Sequence, residues 1–141
     1  MASDTPEAKA LEACLSYELR VAPAYEGCHP SIILLQLKNA ALCKPIGDAI
    51  RGMGSVNLSD DPQKKQFVGN VIAPYEGLCA VVVRYGDKDT GAFGERFLTR
   101  FYDKIGRIDV QNIGVATQED DQDTVDTLVQ RAKESMKTPG V

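Results

Sequence analysis

The sequence lacks most of the residues and runs that would point directly to a metal site or a membrane span. It has no tryptophan, one histidine and four cysteines, and no two cysteines form a C-x-x-C pair. A tetrahedral zinc site would therefore need the scattered cysteines to converge. No apolar run approaches the roughly 18–20 residues that a helix needs to cross a bilayer. These absences predict a protein without a metal, a cofactor or a membrane span.

The sequence also has fewer positively charged than negatively charged residues. The 16 Lys and Arg residues against 20 Asp and Glu give a formal net charge of −4. This acidity argues against direct nucleic-acid recognition, because neutralising phosphates needs a basic surface. Residues 1–7 lack the basic and apolar regions of a signal peptide, so we expect a reducing cytoplasm. Cys14, Cys28, Cys43 and Cys79 are then expected to be free thiols packed as small hydrophobic side chains.

The N-terminal part of the chain carries two helical signals around an ambiguous run. Thr5 and Pro6 form a good helix start, with a hydroxyl cap and a proline at the first helical position. Apolar residues at i, i+3, i+4 and i+7 over 46–53 predict a second helix. Between them, the isoleucines of the run 32–37 favour a buried strand, whereas its apolar continuation to Cys43 favours a helix. The length of the whole run favours the helix.

Several apolar runs in the rest of the chain predict an antiparallel sheet. The predicted strands are 67–73, 78–85, 96–102 and 107–115. The glycine-flanked polar stretch 86–91 is typical of a turn. In the last strand the apolar residues before and after Gln111-Asn112 are out of phase. One extra residue would return them to a single face, so we expect a β-bulge there.

The C-terminal stretch predicts a helix whose apolar residues recur at helical spacing. These residues are Val125, Leu128, Val129, Ala132 and Met136. We expect Leu128 and Val129, at the centre of this face, to be buried against the sheet. Asp120 and Asp121 are the predicted N-caps, and Asp123 adds negative charge near the positive end of the helix. The acidic stretch therefore predicts a helix start rather than a metal site.

These elements predict one α+β domain. Its antiparallel sheet has about four strands, flanked by N-terminal helices and a C-terminal helix. The length of 141 residues fits a single domain over 1–141. Within it we distinguish an N-terminal arm or helical extension over 1–43 and a core over 44–136.

Residues with reactive side chains have simpler explanations in each case. Cys28 and His29 could pair a thiol with its base, but adjacent side chains usually point apart. Asp87 and Asp89 resemble part of a calcium loop and lack its further ligands. The glycines of 91–94 are expected to lead into a strand, which would not give the helix terminus that a dinucleotide phosphate needs. The sequence therefore predicts no catalytic residue.

Four arginines near the predicted strands have two explanations. They are Arg84, Arg96, Arg100 and Arg107. They could form a positive stripe on one face of the sheet. Ordinary cross-strand pairing with Glu95, Asp103 and Asp109 is favoured, because the net charge of the chain is acidic.

The order of elements from Lys44 to Met136 resembles that of a known family. Residues 74–86, PYEGLCAVVVRYG, resemble the small-apolar strand ending in R-Y-G of tail-terminator proteins from contractile-tailed bacteriophages of the Mu type. Residues 108–116, with the acidic loop and the helical pattern 125–132 that follow, are similar to the last strand and closing helix of that family. The shared motifs are patterns of hydrophobicity, without a common reactive group.

The resemblance implies a structural virion protein, either a tail terminator or a head–tail neck component. Such a protein forms a homo-oligomeric ring, for example a hexamer, and joins the tail tube to the connector by protein–protein contacts. It is assembled in the host cytoplasm, without catalysis or a cofactor. The predicted contact residues are Asp87, Lys88 and Asp89 of the loop 86–94, with Phe93 as an apolar anchor. The alternative is a small cytosolic α+β adaptor or ligand-binding protein, and an enzyme is less favoured.

Overall fold

A computed structural model describes residues 5–24, 29–53, 55–56, 66–67, 70–84, 86, 88–106, 109–120 and 122–139. The α-helices in these residues are α1 (Pro6–Val21), α2 (Cys43–Gly52), α3 (Thr90–Ile105) and α4 (Val125–Glu134). The strands are β1 (Ser31–Leu37), β2 (Ser55–Val56), β3 (Gln66–Phe67), β4 (Asn70–Tyr75), β5 (Leu78–Val83) and β6 (Val110–Thr117). The predicted α+β class, with a four-stranded antiparallel sheet flanked by helices, is confirmed.

The sheet is the middle layer of three. Its strand order is β4-β5-β1-β6, and every neighbouring pair is antiparallel. Helices α2 and α3 pack on one face, and helices α1 and α4 pack on the other. The short strands β2 and β3 pair with each other in a separate two-stranded sheet. Both faces of the main sheet are thus shielded from water by helices.

The ambiguous run 32–37 lies in strand β1, so the favoured helix is wrong. Each residue from Ile32 to Leu35 is fully buried. Ile33 and Leu35 face helices α2 and α3, and Ile32 and Leu34 face the opposite helices. A strand buried on both faces has no polar alternation to identify it. The apolar run ends because Asn39 caps a 3-10 turn, its Oδ1 accepting from the Ala41 amide at 3.0 Å.

The stretch predicted as strand 96–102 lies in helix α3, so that prediction is also wrong. Phe93, Phe97 and Phe101 recur every four residues and are fully buried on the sheet. Their helical spacing outweighs the period-two pattern that 97, 99 and 101 also present. Phe97 and Phe101 meet edge to face, with their ring centroids 6.0 Å apart.

Helix α3 also changes the interpretation of residues 91–94. They lie in the first turns of a helix and do not lead into a strand, so the reason for rejecting a phosphate-binding turn was wrong. The helix begins after Asp89, whose Oδ1 accepts a hydrogen bond from the Ala92 amide at 3.1 Å. The Asp89 carboxylate therefore already caps the start of the helix, the place where a phosphate would bind.

The β-bulge predicted near Gln111-Asn112 is confirmed. Asn112 lies opposite Gln36 and Val110 lies opposite Leu37, so Gln111 is the extra residue. This step returns the apolar residues of β6 to the core face, as the phase of the sequence required. The Gln36 and Asn112 side chains meet across the two strands, the Asn112 amide donating to Gln36 Oε1 at 2.6 Å.

The outer edge of β6 is closed by the segment that follows α4. Ile113 exchanges two backbone hydrogen bonds with Lys137, at 2.9 and 3.0 Å. The Ser135 hydroxyl accepts from the Val115 amide at 3.0 Å and donates to the Val115 carbonyl at 3.1 Å. These groups are the ones an incoming strand would pair with, so this edge is protected.

Helix α4 packs as predicted, although its cap differs. Leu128 and Val129 are buried against the sheet, which confirms the expectation. Thr124 is the N-cap, in a reciprocal capping box with Thr127. The predicted cap Asp120 instead accepts from the Gln122 amide within the preceding turn, and Asp121 lies outside the described residues. Thr124, rather than Asp120, is the cap because it directly precedes Val125, the first helical residue.

The segments predicted as an arm, 1–43, and as a core, 44–136, both contribute strands to the main sheet. Residues 1–43 contain helix α1 and strand β1, which is an inner strand of the sheet. Parts of two other predicted strands, at 68–69 and 107–108, lie outside the described residues. The predicted strand 78–85 corresponds to β5, except that Tyr85 is also outside them.

Replacing Gly114 by alanine should destabilise the protein. Gly114 lies where helix α4 crosses strand β6, and a Cβ there would stand 2.1 Å from the Ala132 carbonyl oxygen. Backbone would have to move, so we expect Gly114→Ala to cost about 1–3 kcal/mol in urea unfolding. Gly52→Ala is the matched control, because a Cβ at Gly52 meets no atom within 4 Å. Equal stability of both variants would contradict the packing of α4 described here.

Candidate functional site

The residues predicted to contact a neighbouring subunit do not form one exposed loop. Asp87 lies outside the described residues, and Lys88 and Asp89 are exposed. Phe93 lies on the core-facing side of α3 and is fully buried, so its prediction as an exposed apolar anchor is wrong. Phe93→Asp should unfold the monomer rather than weaken assembly alone, because it would place a carboxylate in the core. A contact role for Lys88 and Asp89 stays a prediction.

The arginines expected on one face of the sheet are dispersed. Arg84 follows β5 and pairs with Glu18 of α1, with 2.7 Å between Nε and Oε1. Arg96 and Arg100 lie on α3, and Arg107 is outside the described residues. Neither a positive stripe on the sheet nor cross-strand pairing of these arginines matches this placement, because two of them are helical.

The Cys28-His29 pair can be examined only in part. Cys28 lies outside the described residues, and His29 is half-buried at the end of the sheet where β1 begins. The His29 carbonyl accepts a hydrogen bond from the Gly86 amide at 2.7 Å. The backbone of His29 therefore ties the start of β1 to the segment after β5, which is a structural role.

The described cysteines Cys14, Cys43 and Cys79 are free thiols. Cys43 and Cys79 are fully buried, and their thiols donate to the carbonyls of Gly77 and Cys43 at 3.2 and 3.4 Å. Burial, together with the neighbouring Cys43, raises the pKa of Cys79 to about 12. Burial also raises the pKa of Cys14. A raised pKa makes the thiols of Cys14 and Cys79 poor nucleophiles and poor metal ligands at neutral pH.

A groove between helices α1 and α4 and the turn after β4 is one candidate site. Its volume is about 300 Å³. Apolar side chains form its floor and polar ones its walls. The floor consists of Ala8, Leu11, Val125 and Val129, and the walls consist of Glu12, Tyr75, Glu76, Asp126, Gln130 and Lys133. We call this the α1–α4 groove.

One wall of the α1–α4 groove is fixed by an ion pair and an aromatic ring. Lys133 Nζ lies 2.8 Å from Glu76 Oε2 and 5.9 Å from the centre of the Tyr75 ring. The hydrogen bond from Lys133 lowers the pKa of Glu76. Burial, followed by the charge of Glu76, raises the pKa of Tyr75 to about 12. Tyr75 is thus held as a neutral phenol beside a carboxylate.

The turn that presents Glu76 has an unusual backbone. Glu76 and Gly77 have φ values of 50° and 78°, and they connect the paired residues Tyr75 and Leu78. Two-residue hairpin turns favour positive φ at both positions, where asparagine or glycine is the usual first residue. A glutamate there carries a modest conformational cost. The contact with Lys133 fixes its direction over the groove.

Two carboxylates of the groove have no cation among the described residues. Glu12 on α1 and Asp126 on α4 form no ion pair there, whereas Glu76 is paired with Lys133. Among the described residues that line it, the groove has three carboxylates and one ammonium group, together with apolar side chains. Such a surface suits recognition of a positively charged, partly apolar group.

No motif in the sequence indicates that these residues meet. Glu12, Tyr75 and Lys133 come from three distant segments, which only the crossing of α1 and α4 over the sheet brings together. The turn itself was visible as the stretch 74–77, and Lys133 lies on the polar face of a predictable helix. Neither signal indicated a shared groove.

Comparison of the chain with models of known protein families, with curated proteins and with solved structures finds no match. Among the residues that the structure describes, no helix is long and apolar enough to span a bilayer. In the same part of the chain, no three His, Cys, Asp or Glu side chains lie together as metal ligands.

The phenol of Tyr75 should ionise in a late phase, near pH 12, of a spectrophotometric titration. An ordinary phenol has a pKa of about 10, and that of Tyr75 is raised to about 12. Folding raises the pKa of Tyr75, so the neutral phenol contributes to the free energy of unfolding. This contribution is complete below pH about 10 and is lost as the pH rises through about 12. Tyr75→Phe should remove the late phase, and Tyr17→Phe should leave it intact. A late phase that survives Tyr75→Phe would contradict the described environment.

Proposed function

We propose that this chain is a structural protein that acts by assembling with other proteins, without catalysis. More specifically, we propose a tail terminator or neck protein of a contractile-tailed bacteriophage. It would assemble in the host cytoplasm into a ring that joins the tail tube to the connector in the virion. The observation that carries the proposal is the α1–α4 groove, where Glu12 and Asp126 form no ion pair within the described part of the chain and apolar side chains share the lining.

The segments that resemble the tail-terminator family occupy related places in the fold. Residues 74–86 include the turn and strand β5, and residues 108–132 include β6 and most of helix α4. The turn and α4 form two of the three sides of the α1–α4 groove. The part of the chain that carries the resemblance thus also builds the proposed contact surface, which supports the proposal.

Assembly by strand pairing is less suited to this fold than contact through helices and turns. The β6 edge is closed by Ser135 and Lys137. On the β4 edge, Arg51 Nη2 donates to the Val71 carbonyl at 2.7 Å, and Pro74 lacks an amide hydrogen. Both edges are therefore protected against another strand. We propose that subunits meet through the helical surfaces that flank the sheet.

The alternative of a ligand-binding protein is favoured by one observation. A cavity of about 480 Å³ lies at the end of β1 beside α2. Its lining is Leu37, Lys38, Asn39, Leu42, Ile46 and Asp109. This volume is within the range of small-molecule sites. Asn39 already caps a turn, so few polar groups are left to orient a ligand. We therefore rank this function second.

Measurement of the assembly state tests the proposal. Light scattering and sedimentation of the purified chain should give a closed species with a mass several times 15.3 kDa. Electron microscopy should show rings, and tail tubes grown with the protein should carry it at one end. A chain that stays monomeric both alone and with tail tubes or connectors would contradict the proposal. A monomer that binds small apolar molecules would favour the alternative.

A further inference from the structure

Two buried cysteines meet where helix α2 begins beside strand β5. Cys43 is the first residue of α2, and Cys79 lies in β5, 36 residues further along the chain. Both are fully buried in the core that α2 and α3 cover. The Cys79 thiol donates to the Cys43 carbonyl at 3.4 Å, and the Cys43 side chain is itself a hydrogen-bond partner of that thiol. The two side chains therefore face each other, as a disulfide requires.

The two cysteines differ in how a reagent can reach them. Cys43 is the only buried residue of the stretch 38–45, and every other residue of that stretch is exposed. A segment with so few buried contacts opens locally at a lower free energy than the whole protein. Cys79 lies in an inner strand, between β4 and β1, and is not reached in this way. Opening of 38–45 therefore exposes Cys43 first and admits water to Cys79.

We propose that Cys43 and Cys79 form a reversible disulfide that locks the start of α2 onto β5 under oxidising conditions. In the reduced chain the stretch 38–45 opens and closes, and in the oxidised chain the bond holds it against the sheet. Leu42 and Ile46, on either side of Cys43, line the cavity at the end of β1, so the bond also fixes one wall of that cavity. This redox lock is independent of the proposed function, because it needs no second chain.

The oxidant is a small organic disulfide, R–S–S–R. When the segment opens, the Cys43 thiolate attacks one sulfur of the oxidant, which gives a mixed disulfide and releases one R–S⁻. The Cys79 thiol loses its proton to water, and its sulfur displaces the second R–S⁻ and closes the bond to Cys43. The two protein thiols are thus oxidised, and the oxidant takes up their two electrons and two protons as two R–SH. In the closed chain burial raises the pKa of Cys79 to about 12, so the reaction waits for opening.

Oxidation of a chain that keeps only these two cysteines tests the inference. This pair-only chain carries Cys14→Ser and Cys28→Ser, and it is treated with bis(hydroxyethyl) disulfide before intact-mass measurement and peptide mapping. We expect a monomer lighter by about 2 Da, the mass of two hydrogen atoms, with Cys43 and Cys79 joined. Hydrogen exchange of the amides in 40–46 should slow at least about fivefold, because the bond opposes local opening. A phosphine reductant should restore the original exchange.

Two further variants separate the pair from ordinary thiol chemistry. Adding Cys43→Ala or Cys79→Val to the pair-only chain should abolish the mass loss, because one partner is missing. Both changes keep a small apolar side chain in the core, and circular dichroism checks that the fold remains. The Cys79→Val chain should end as the mixed disulfide at Cys43, whereas the Cys43→Ala chain should stay unmodified.

Three results would overturn the disulfide. They are two free thiols in the treated pair-only chain, a product linked only between chains, and an internal bond that forms only in urea. Unchanged hydrogen exchange of 40–46 in the oxidised chain would overturn the lock, even with the bond present. A Cys79→Val chain that stays unmodified would overturn the entry of the oxidant at Cys43.

Discussion

The inner strand β1 is the constraint on which the rest of the structure depends. It pairs with β5 on one side and β6 on the other. Its residues Ile32 to Leu35 alternate between two hydrophobic cores, one under α2 and α3 and the other under α1 and α4. Both layers of helices therefore pack against side chains of this one strand. Loss of β1 would remove the common floor of both cores.

The sequence predicted well the features that rest on local chemistry. The Thr5-Pro6 helix start, the bulge at Gln111 and the apolar face around Leu128 each follow from a few neighbouring residues. The predictions for β1 and α3 were wrong, because burial decides the structure of these two elements. A strand buried on both faces, such as β1, lacks the alternation of apolar and polar residues that marks a strand. The phenylalanines of α3 satisfy both a helical and a strand-like spacing. Local patterns cannot separate these cases.

The groove illustrates the same limit for function. Its walls come from α1, the turn after β4 and α4, so its charge pattern exists only after the fold has formed. Phe93 shows the reverse case, because a residue expected on an exposed loop became part of the core once α3 was helical. Residues of a contact surface can therefore be proposed from the structure when the sequence lacks a motif.

Hydrogen exchange of the β1 amides is the most direct test of the central role of this strand. If the account is right, the amides of Ser31 to Leu37 that bond within the sheet exchange only by global unfolding. Their protection should equal the unfolding free energy measured with denaturant. Exchange of β1 at the rate of frayed helix ends, while β5 stays protected, would contradict it. That result would mean that residues 1–43 are an appended arm.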